Sequence, residues 1–306
     1  MSVFNVKILG CGSATPTLRH NPSAQLLTYQ KHQMLIDCGE GTQQQIRRCG
    51  GNFARINHIF LSHLHGDHFL GVPGLLSTLA LHNIEGAVTI HTFKDGAEIL
   101  RKIIDYVCRE RSFELKFDII DPHDTRVVFE DNNIAVTAFP LYHRVHCVGY
   151  RFDEKPKSRH INREMCDFYG VPYYHYNSLK EGMDLVLPDG TVVPNERLTN
   201  APSPSASYAY CSDTIFDPRV ADSVKGVHTL YHEATYGDDG EYKAAPRGHS
   251  TARQAGTIAK LAGAERLVIG HYSQAVHDES VLAAQAVEAF GGEVIAAKEG
   301  LEIKMD

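Results

Sequence analysis

Ser62-His63-Leu64-His65-Gly66-Asp67-His68 places four side chains able to bind a metal within six residues. The motif follows the apolar run Ile56–Leu61, which reads as a buried strand, and precedes an apolar helix, Gly71–His82. Loops at strand ends are where function concentrates. In an extended loop, side chains two positions apart point the same way, so His63 and His65 share a side. Asp67 and His68, at the turn into the helix, can face the same point from another direction. Imidazole nitrogen and carboxylate oxygen are ligands for divalent transition metals, and two such groups of ligands can hold two cations. A helix-capping loop with solvated histidines would explain a single His-x-His. Four donors in this span favour metal binding.

The elements around this motif alternate between short β-rich runs and helical patterns. Val3–Leu9, Ala24–Tyr29 and Gln33–Asp37 read as early strands, followed by a helix over Gly41–Cys49. Strands at Ala87–Thr92, Leu115–Ile120, Arg126–Phe129 and Ile134–Leu141 follow, with a helix over Gly96–Cys108. Later strands are expected at Ala206–Cys211, His228–His232, Arg266–Ile269 and Glu293–Ala297, with helices near Thr251–Ala262 and Glu279–Phe290. Many strands with helices at both ends imply two sheets covered by helices, an α/β arrangement. Between Asp153 and Ser205 the composition turns polar and rich in Tyr, Lys, Arg and Pro, as an insertion projecting from the core would be.

Composition narrows the function. With 306 residues, the chain is long enough for one large domain. A 43% hydrophobic and 22% charged content is ordinary for a globular protein and argues against disorder. No run approaches 18 apolar residues, so no membrane span is expected. The first residues read as a strand and a glycine turn rather than a signal peptide. Seven scattered cysteines with no Cys-x-x-Cys fit a reducing cytoplasm. The net charge of −7 is not that of a nonspecific nucleic-acid coat. A polyanion would have to be bound locally, through metals or a basic patch.

The His-x-His-x-Asp-His motif after a strand resembles the signature of the metallo-β-lactamase superfamily. That resemblance implies a four-layer αββα sandwich with a metal site at one edge. The surrounding motifs run in order: Asp37-Cys38-Gly39-Glu40-Gly41-Thr42-Gln43, Pro140-Leu141-Tyr142-His143 with Gly149-Tyr150-Arg151, and Tyr210-Cys211-Ser212-Asp213-Thr214. His232-Glu233-Ala234-Thr235, Gly248-His249-Ser250-Thr251-Ala252 and Gly270-His271-Tyr272-Ser273 complete the set. Together they resemble the short form of the ribonuclease Z family, tRNA 3′ processing endonucleases, over nearly the whole of residues 1–306. The resemblance implies two zinc ions per subunit, one held by His63, His65 and His143, the other by Asp67, His68 and His271, with Asp213 bridging. His143, Asp213 and His271 each follow a predicted strand, and strand ends at one sheet edge can converge. His146 competes with His143, whose spacing to Gly149-Tyr150 fits the family better. Asp67 would also serve as general base. His249 is the candidate for protonating the leaving oxygen, with Glu233 orienting its ring, since a neighbouring carboxylate raises a histidine's pKa. Ser250, at the start of a helix, and Ser273, beside a ligand, are candidate phosphate contacts.

The insertion, taken as 154–203, carries the RNA question. Lys155, Lys157, Arg159 and Arg163, with Arg151, form a local basic excess, followed by Tyr169, Tyr173, Tyr174 and Tyr176. Basic groups contact phosphate and aromatics stack or pack. Family members carry here an arm that grips tRNA, and Phe168-Tyr169-Gly170-Val171-Pro172 and Leu179-Lys180-Glu181-Gly182 look like its parts. Tyr173-Tyr174-His175-Tyr176-Asn177-Ser178 stands where the family commonly has a Gly-Pro-rich segment. The expected activity is removal of the 3′ trailer from precursor tRNA by a cytoplasmic homodimer. The alternatives are another dinuclear metallo-hydrolase acting on small phosphodiesters, sulfate esters or lactones, and a non-catalytic RNA-binding or scaffold protein. The second is disfavoured by seven intact ligand positions.

Overall fold

The computed structural model describes residues 4–305, so Val3, the expected start of the first strand, lies outside the described residues. The chain forms two compact units. One runs to Glu130, takes in Ala135–Phe152 and resumes at Ala206, and the other comprises Asp131–Ile134 and Asp153–Ser205.

The first unit is built on two seven-stranded sheets. One runs from edge to edge as Glu302–Lys304, Phe4–Gly10, Ala24–Tyr29, His32–Ile36, Ile56–Phe60, Gly86–Thr92 and Phe113–Ile119. Its first four strands pair antiparallel and its last four parallel. The other runs as Glu293–Ala296, Arg266–Gly270, Thr229–Glu233, Ser207–Cys211, His146–Glu154, Ile134–Tyr142 and Arg126–Glu130. Parallel strands covered on both faces read as continuous apolar runs rather than alternating ones, which is why Leu267–Ile269 of Arg266–Gly270 stands out in the sequence. Between the sheets the Phe60 ring packs 5.2 Å from Tyr150 and 5.5 Å from Phe152.

Helices close both outer faces. Thr42–Arg48, Val72–Leu81 and Lys94–Val107 cover the first sheet, sealing Leu75, Leu79, Leu100 and Ile104 from water. Each such side chain contributes about 1.5–3 kcal/mol of burial. Ala252–Ala262 and Glu279–Phe290 pack together against the second sheet, with Ile258 and Ala286 buried. The result is the four-layer αββα sandwich. Thr251 starts its helix with a reciprocal cap, accepting from the Gln254 amide while the Gln254 side chain accepts from the amide of Thr251. Among the described residues no helix is long and apolar enough to cross a membrane.

In the two large sheets, two strands lie outside the sequence expectation, His146–Glu154 and Glu302–Lys304. In the first, Gly149 interrupts a β-rich run, and the structure explains it. A Cβ there would stand 2.4 Å from the Phe139 ring and 2.9 Å from the Tyr210 carbonyl oxygen, so only glycine permits the close approach. The second is three residues long, too short to show a period.

The second unit has its own small core of Cys166, Val171, Leu179, Leu185, Val193 and Leu198. Short helices at Arg163–Phe168, Tyr176–Lys180 and Asn195–Leu198 and two-residue strand pairs supply it. Six apolar side chains scattered over 33 positions leave no periodic trace, so the stretch reads as polar.

Candidate functional site

Five segments of the first unit deliver polar side chains to one end of the sheets. Residues 62–68 leave strand Ile56–Phe60, His143 follows Ile134–Tyr142, Asp213 follows Ser207–Cys211, Glu233 ends Thr229–Glu233, and His271 follows Arg266–Gly270. His63, His65, His143 and Asp213 bring one donor atom each into a common group, and Asp67, His68 and His271 form another. In the first, His65 Nδ1 lies 3.1 Å from His63 Nε2 and 3.3 Å from His143 Nε2. Asp213 Oδ2 lies 3.6 Å from His63 Nε2 and 3.9 Å from His143 Nε2. In the second, His68 Nε2 lies 3.3 Å from His271 Nε2 and 3.4 Å from Asp67 Oδ2. Asp213 Oδ1 lies 3.1 Å from His271 Nε2 and 3.5 Å from His68 Nε2. Tetrahedral zinc with bonds near 2.0–2.1 Å separates its ligand atoms by about 3.4 Å. The observed spacings match that edge, and Asp213 turns one oxygen to each group. The donor set therefore fits a pair of divalent cations.

For four of the five rings, all but His65, which faces the group through Nδ1, the far side explains which nitrogen faces inward. His68 Nδ1 is 2.7 Å from Asp37 Oδ2, His143 Nδ1 2.6 Å from the Gly248 carbonyl, His271 Nδ1 2.9 Å from Thr235 Oγ1 and His63 Nδ1 3.0 Å from Ser62 Oγ. With Nδ1 engaged, Nε2 keeps its lone pair for a metal, the arrangement that fixes tautomer and ring orientation. Asp37 is wholly buried and also accepts from the Ser62 amide, the Ser62 hydroxyl and the Tyr210 hydroxyl. The Ala14 amide donates to Asp67 Oδ2 at 2.7 Å. Ala14, Asp37 and His271 sit at φ of 62°, 55° and 61°, a left-handed conformation costing about 1–2 kcal/mol for a non-glycine residue.

His249 adjoins the cluster. Its Nδ1 lies 2.9 Å from Glu233 Oε1 and 3.8 Å from Asp213 Oδ2. Burial disfavours the imidazolium, but the fully buried Glu233 carboxylate outweighs it, and the His249 pKa rises to about 9. The same pairing holds Glu233 below the usual carboxylate range despite its burial. Glu233 is fixed further by the Thr214 and Thr235 amides and the Thr235 hydroxyl. Burial likewise opposes ionisation of Asp67, yet His68 and His271 hold its carboxyl well below its ordinary range, so it stays a carboxylate. A cleft of about 380 Å³ opens onto His65, Asp67, Asp213, His249 and His271, with the exposed Arg144 on its wall.

The rival ligand His146 and the expected substrate contacts are placed differently. His146 is exposed, against the rings of Phe93 and His123. Ser250 is wholly buried and its hydroxyl donates to the Thr214 carbonyl, which leaves that hydroxyl committed within the fold. Ser273 is half-buried. In the second unit, Lys157 pairs with Glu154 at 2.8 Å and Arg159 donates to Thr199, while Arg163 is exposed and Lys155 half-buried. Asp37, Thr235, Ala14 and Arg144 had no role in the sequence reading. Asp37 and Thr235 stand in the motifs Asp37-Cys38-Gly39-Glu40-Gly41 and His232-Glu233-Ala234-Thr235, but nothing there marked their role.

Known proteins bear on this site. The model of the family described as Anti-Pycsar protein Apyc1 matches residues 4–155. The chain is 45% identical to a ribonuclease Z of Parabacteroides distasonis over 305 residues, covering 100% of both. It is 43% identical to that of Bacteroides thetaiotaomicron, covering 97% of this chain and 94% of the relative. Among solved structures, the short form of human tRNase Z superposes with a TM-score of 0.70 at 25% identity, covering 99% of each chain. The metallo-β-lactamase fold protein YhfI of Bacillus subtilis superposes with a TM-score of 0.70 at 19% identity, again covering 99% of each. The fold, the metal-ligand geometry and this full-length identity place the chain in the ribonuclease Z family of metallo-β-lactamase-fold hydrolases.

Proposed function

We propose that the protein is an endoribonuclease that removes the 3′ trailer from precursor tRNA, leaving a 3′-hydroxyl on the tRNA and a 5′-phosphate on the trailer. The observation that carries this reading is the His249–Glu233 pair beside two converging ligand groups that share Asp213. His63, His65 and His143 would hold one cation, Asp67, His68 and His271 the other, with Asp213 between them, and the all-nitrogen-and-oxygen set suits zinc. Bound there, a cation pair supplies an activated water and positive charge facing the phosphodiester.

The chain's own groups do the rest. Asp67, kept ionised and aimed by the Ala14 amide, accepts the proton of the attacking water. The phosphorus–O3′ bond breaks, and the leaving O3′ takes its proton from the His249 imidazolium. Glu233 keeps that ring charged and oriented. Arg144, exposed on the cleft wall, draws in backbone phosphate. The second unit, with Lys155 and Arg163 reaching solvent and Tyr173 and Tyr174 largely exposed, is the arm that grips tRNA. By the family's pattern it serves the active site of the other subunit in a cytoplasmic homodimer.

Incubating the purified protein with a trailer-bearing precursor tRNA tests this reading. A single cut at the trailer junction, abolished by chelator and restored by zinc, is expected. Chelator-insensitive or absent cleavage would overturn it.

A further inference from the structure

A second group of side chains with converging donor atoms, Cys11, His20 and Glu299, lies outside the seven ligands. Strand Phe4–Gly10 runs directly into Cys11, whose side chain is fully buried and reduced. Cys11 Sγ lies 3.4 Å from His20 Nδ1, and the same nitrogen lies 3.1 Å from Glu299 Oε2. The three donor atoms fall within 4.8 Å of one another. Glu299 is held in place because its other oxygen accepts from the Asn21 amide at 2.8 Å. The far nitrogen of His20, Nε2, meets Glu279 Oε1 at 2.9 Å, and Glu279 also pairs with Arg19 at 3.3 Å.

From this geometry we infer that Cys11, His20 and Glu299 form a third, mononuclear zinc site, with Glu279 orienting the histidine from behind. Zinc bonds of about 2.3 Å to sulfur and 2.0–2.2 Å to nitrogen and oxygen separate ligand atoms by about 3.3–3.6 Å; the 3.4 Å spacing from His20 Nδ1 to the sulfur falls in that range and the 3.1 Å spacing to Glu299 lies just below it. A carboxylate on the outer nitrogen of a ligating histidine is the usual orienting partner. In the metal-free protein the Cys11 thiol donates to the Ala297 carbonyl oxygen at 3.5 Å, and zinc would displace that hydrogen.

Charge also balances. Without metal, the His20 imidazolium and Arg19 match the two glutamates. Zinc displaces one proton from Cys11 Sγ and one from His20 Nδ1, so the cluster's net charge is unchanged. His20 Nδ1 faces both Glu299 and the Cys11 sulfur, and the thiol hydrogen faces the Ala297 carbonyl.

The site would be structural. It joins the start of the 11–22 loop, the first turn of helix Glu279–Phe290 and the segment before Glu302–Lys304. The same loop carries Ala14, whose amide holds Asp67, and Arg19, which donates to the carbonyls of Val276 and His277.

The test is cobalt substitution of the full-length protein. The seven catalytic ligands contain no sulfur, so they cannot give a thiolate-to-cobalt charge-transfer band. We expect one such band in the near ultraviolet and three metals per chain. Cys147 must be controlled, because its sulfur lies 3.8 Å from His63 Nδ1. Cys147→Ser should keep the band, whereas Cys11→Ser should lose it together with one metal per chain. Should Cys11→Ser not fold, Glu299→Gln serves instead, with loss or shift of the band expected. Absence of the band from the wild-type protein, or its persistence unchanged in these variants, would overturn the site and leave His20 as an ion-pair knot. Neither outcome depends on tRNA cleavage, so this inference and the nuclease reading stand or fall separately.

Discussion

At the scale of the residue, the cluster depends on groups one bond removed from the ligands. Asp37 accepts four hydrogen bonds, including that of His68 Nδ1, in a fully buried place. Asp37→Asn keeps the shape but removes the charge, and partners of this kind are worth about 10–100-fold in metal affinity. A competition titration with a chromophoric chelator should show that loss, with secondary structure unchanged. Glu233→Gln removes the charge that lifts His249 to a pKa of about 9. An acid acts below its pKa and is lost as pH rises through it, so the wild-type rate should persist to about that pH. In the variant the alkaline limb should move down toward the ordinary histidine value of about 6.5. An unmoved limb in the pH–rate profile would exclude His249 as the titrating acid. The residues that converge were legible because four stand in one short motif and the others follow apolar strands. Asp37, Thr235 and Ala14 were not, since bonding to the back of an imidazole imposes no spacing on the sequence, and a backbone amide leaves no residue type to read.

Element boundaries carry function here as much as side chains do. Helix Glu241–Arg247 ends at Gly248, left-handed at φ 81°, whose carbonyl holds His143 Nδ1. An added Cβ would stand 2.5 Å from that nitrogen. Gly248→Ala therefore strains the helix end and pushes His143 aside. Metal analysis should show loss from the group of His63, His65 and His143, with the other group still filled. Retention of full metal content would show that the loop absorbs the methyl group. This helix was missed from sequence because it is short and contains Pro246. The helix Ala252–Ala262 was legible, since its capping pair and its buried face are both periodic features. Strand His146–Glu154 was hidden by Gly149, which serves packing rather than a turn.

For the whole molecule, the division into a two-sheet unit and a separate small unit sets the decisive comparison. Replacing residues 154–203 with a short Gly-Ser linker should leave hydrolysis of an artificial aryl phosphodiester within about threefold of wild type. Cleavage of precursor tRNA should fall by at least two orders of magnitude, read as kcat/KM, a difference of at least about 2.7 kcal/mol. Equal loss on both substrates would mean that the second unit supports the fold rather than the RNA. The αββα layering was legible from strand and helix order, whereas the small core of the second unit was not, for want of any repeat in its apolar positions. The three left-handed residues at the metal-binding edge extend this to evolution. Ala14, Asp37 and His271 all occupy a conformation that glycine adopts freely, yet each carries a methyl, a carboxylate or an imidazole. Heat tolerance could be gained most cheaply at those positions, but for two of them the change would erase the chemistry. Variants selected for endurance should therefore accumulate their changes elsewhere, leaving this rim the softest part of a hardened protein.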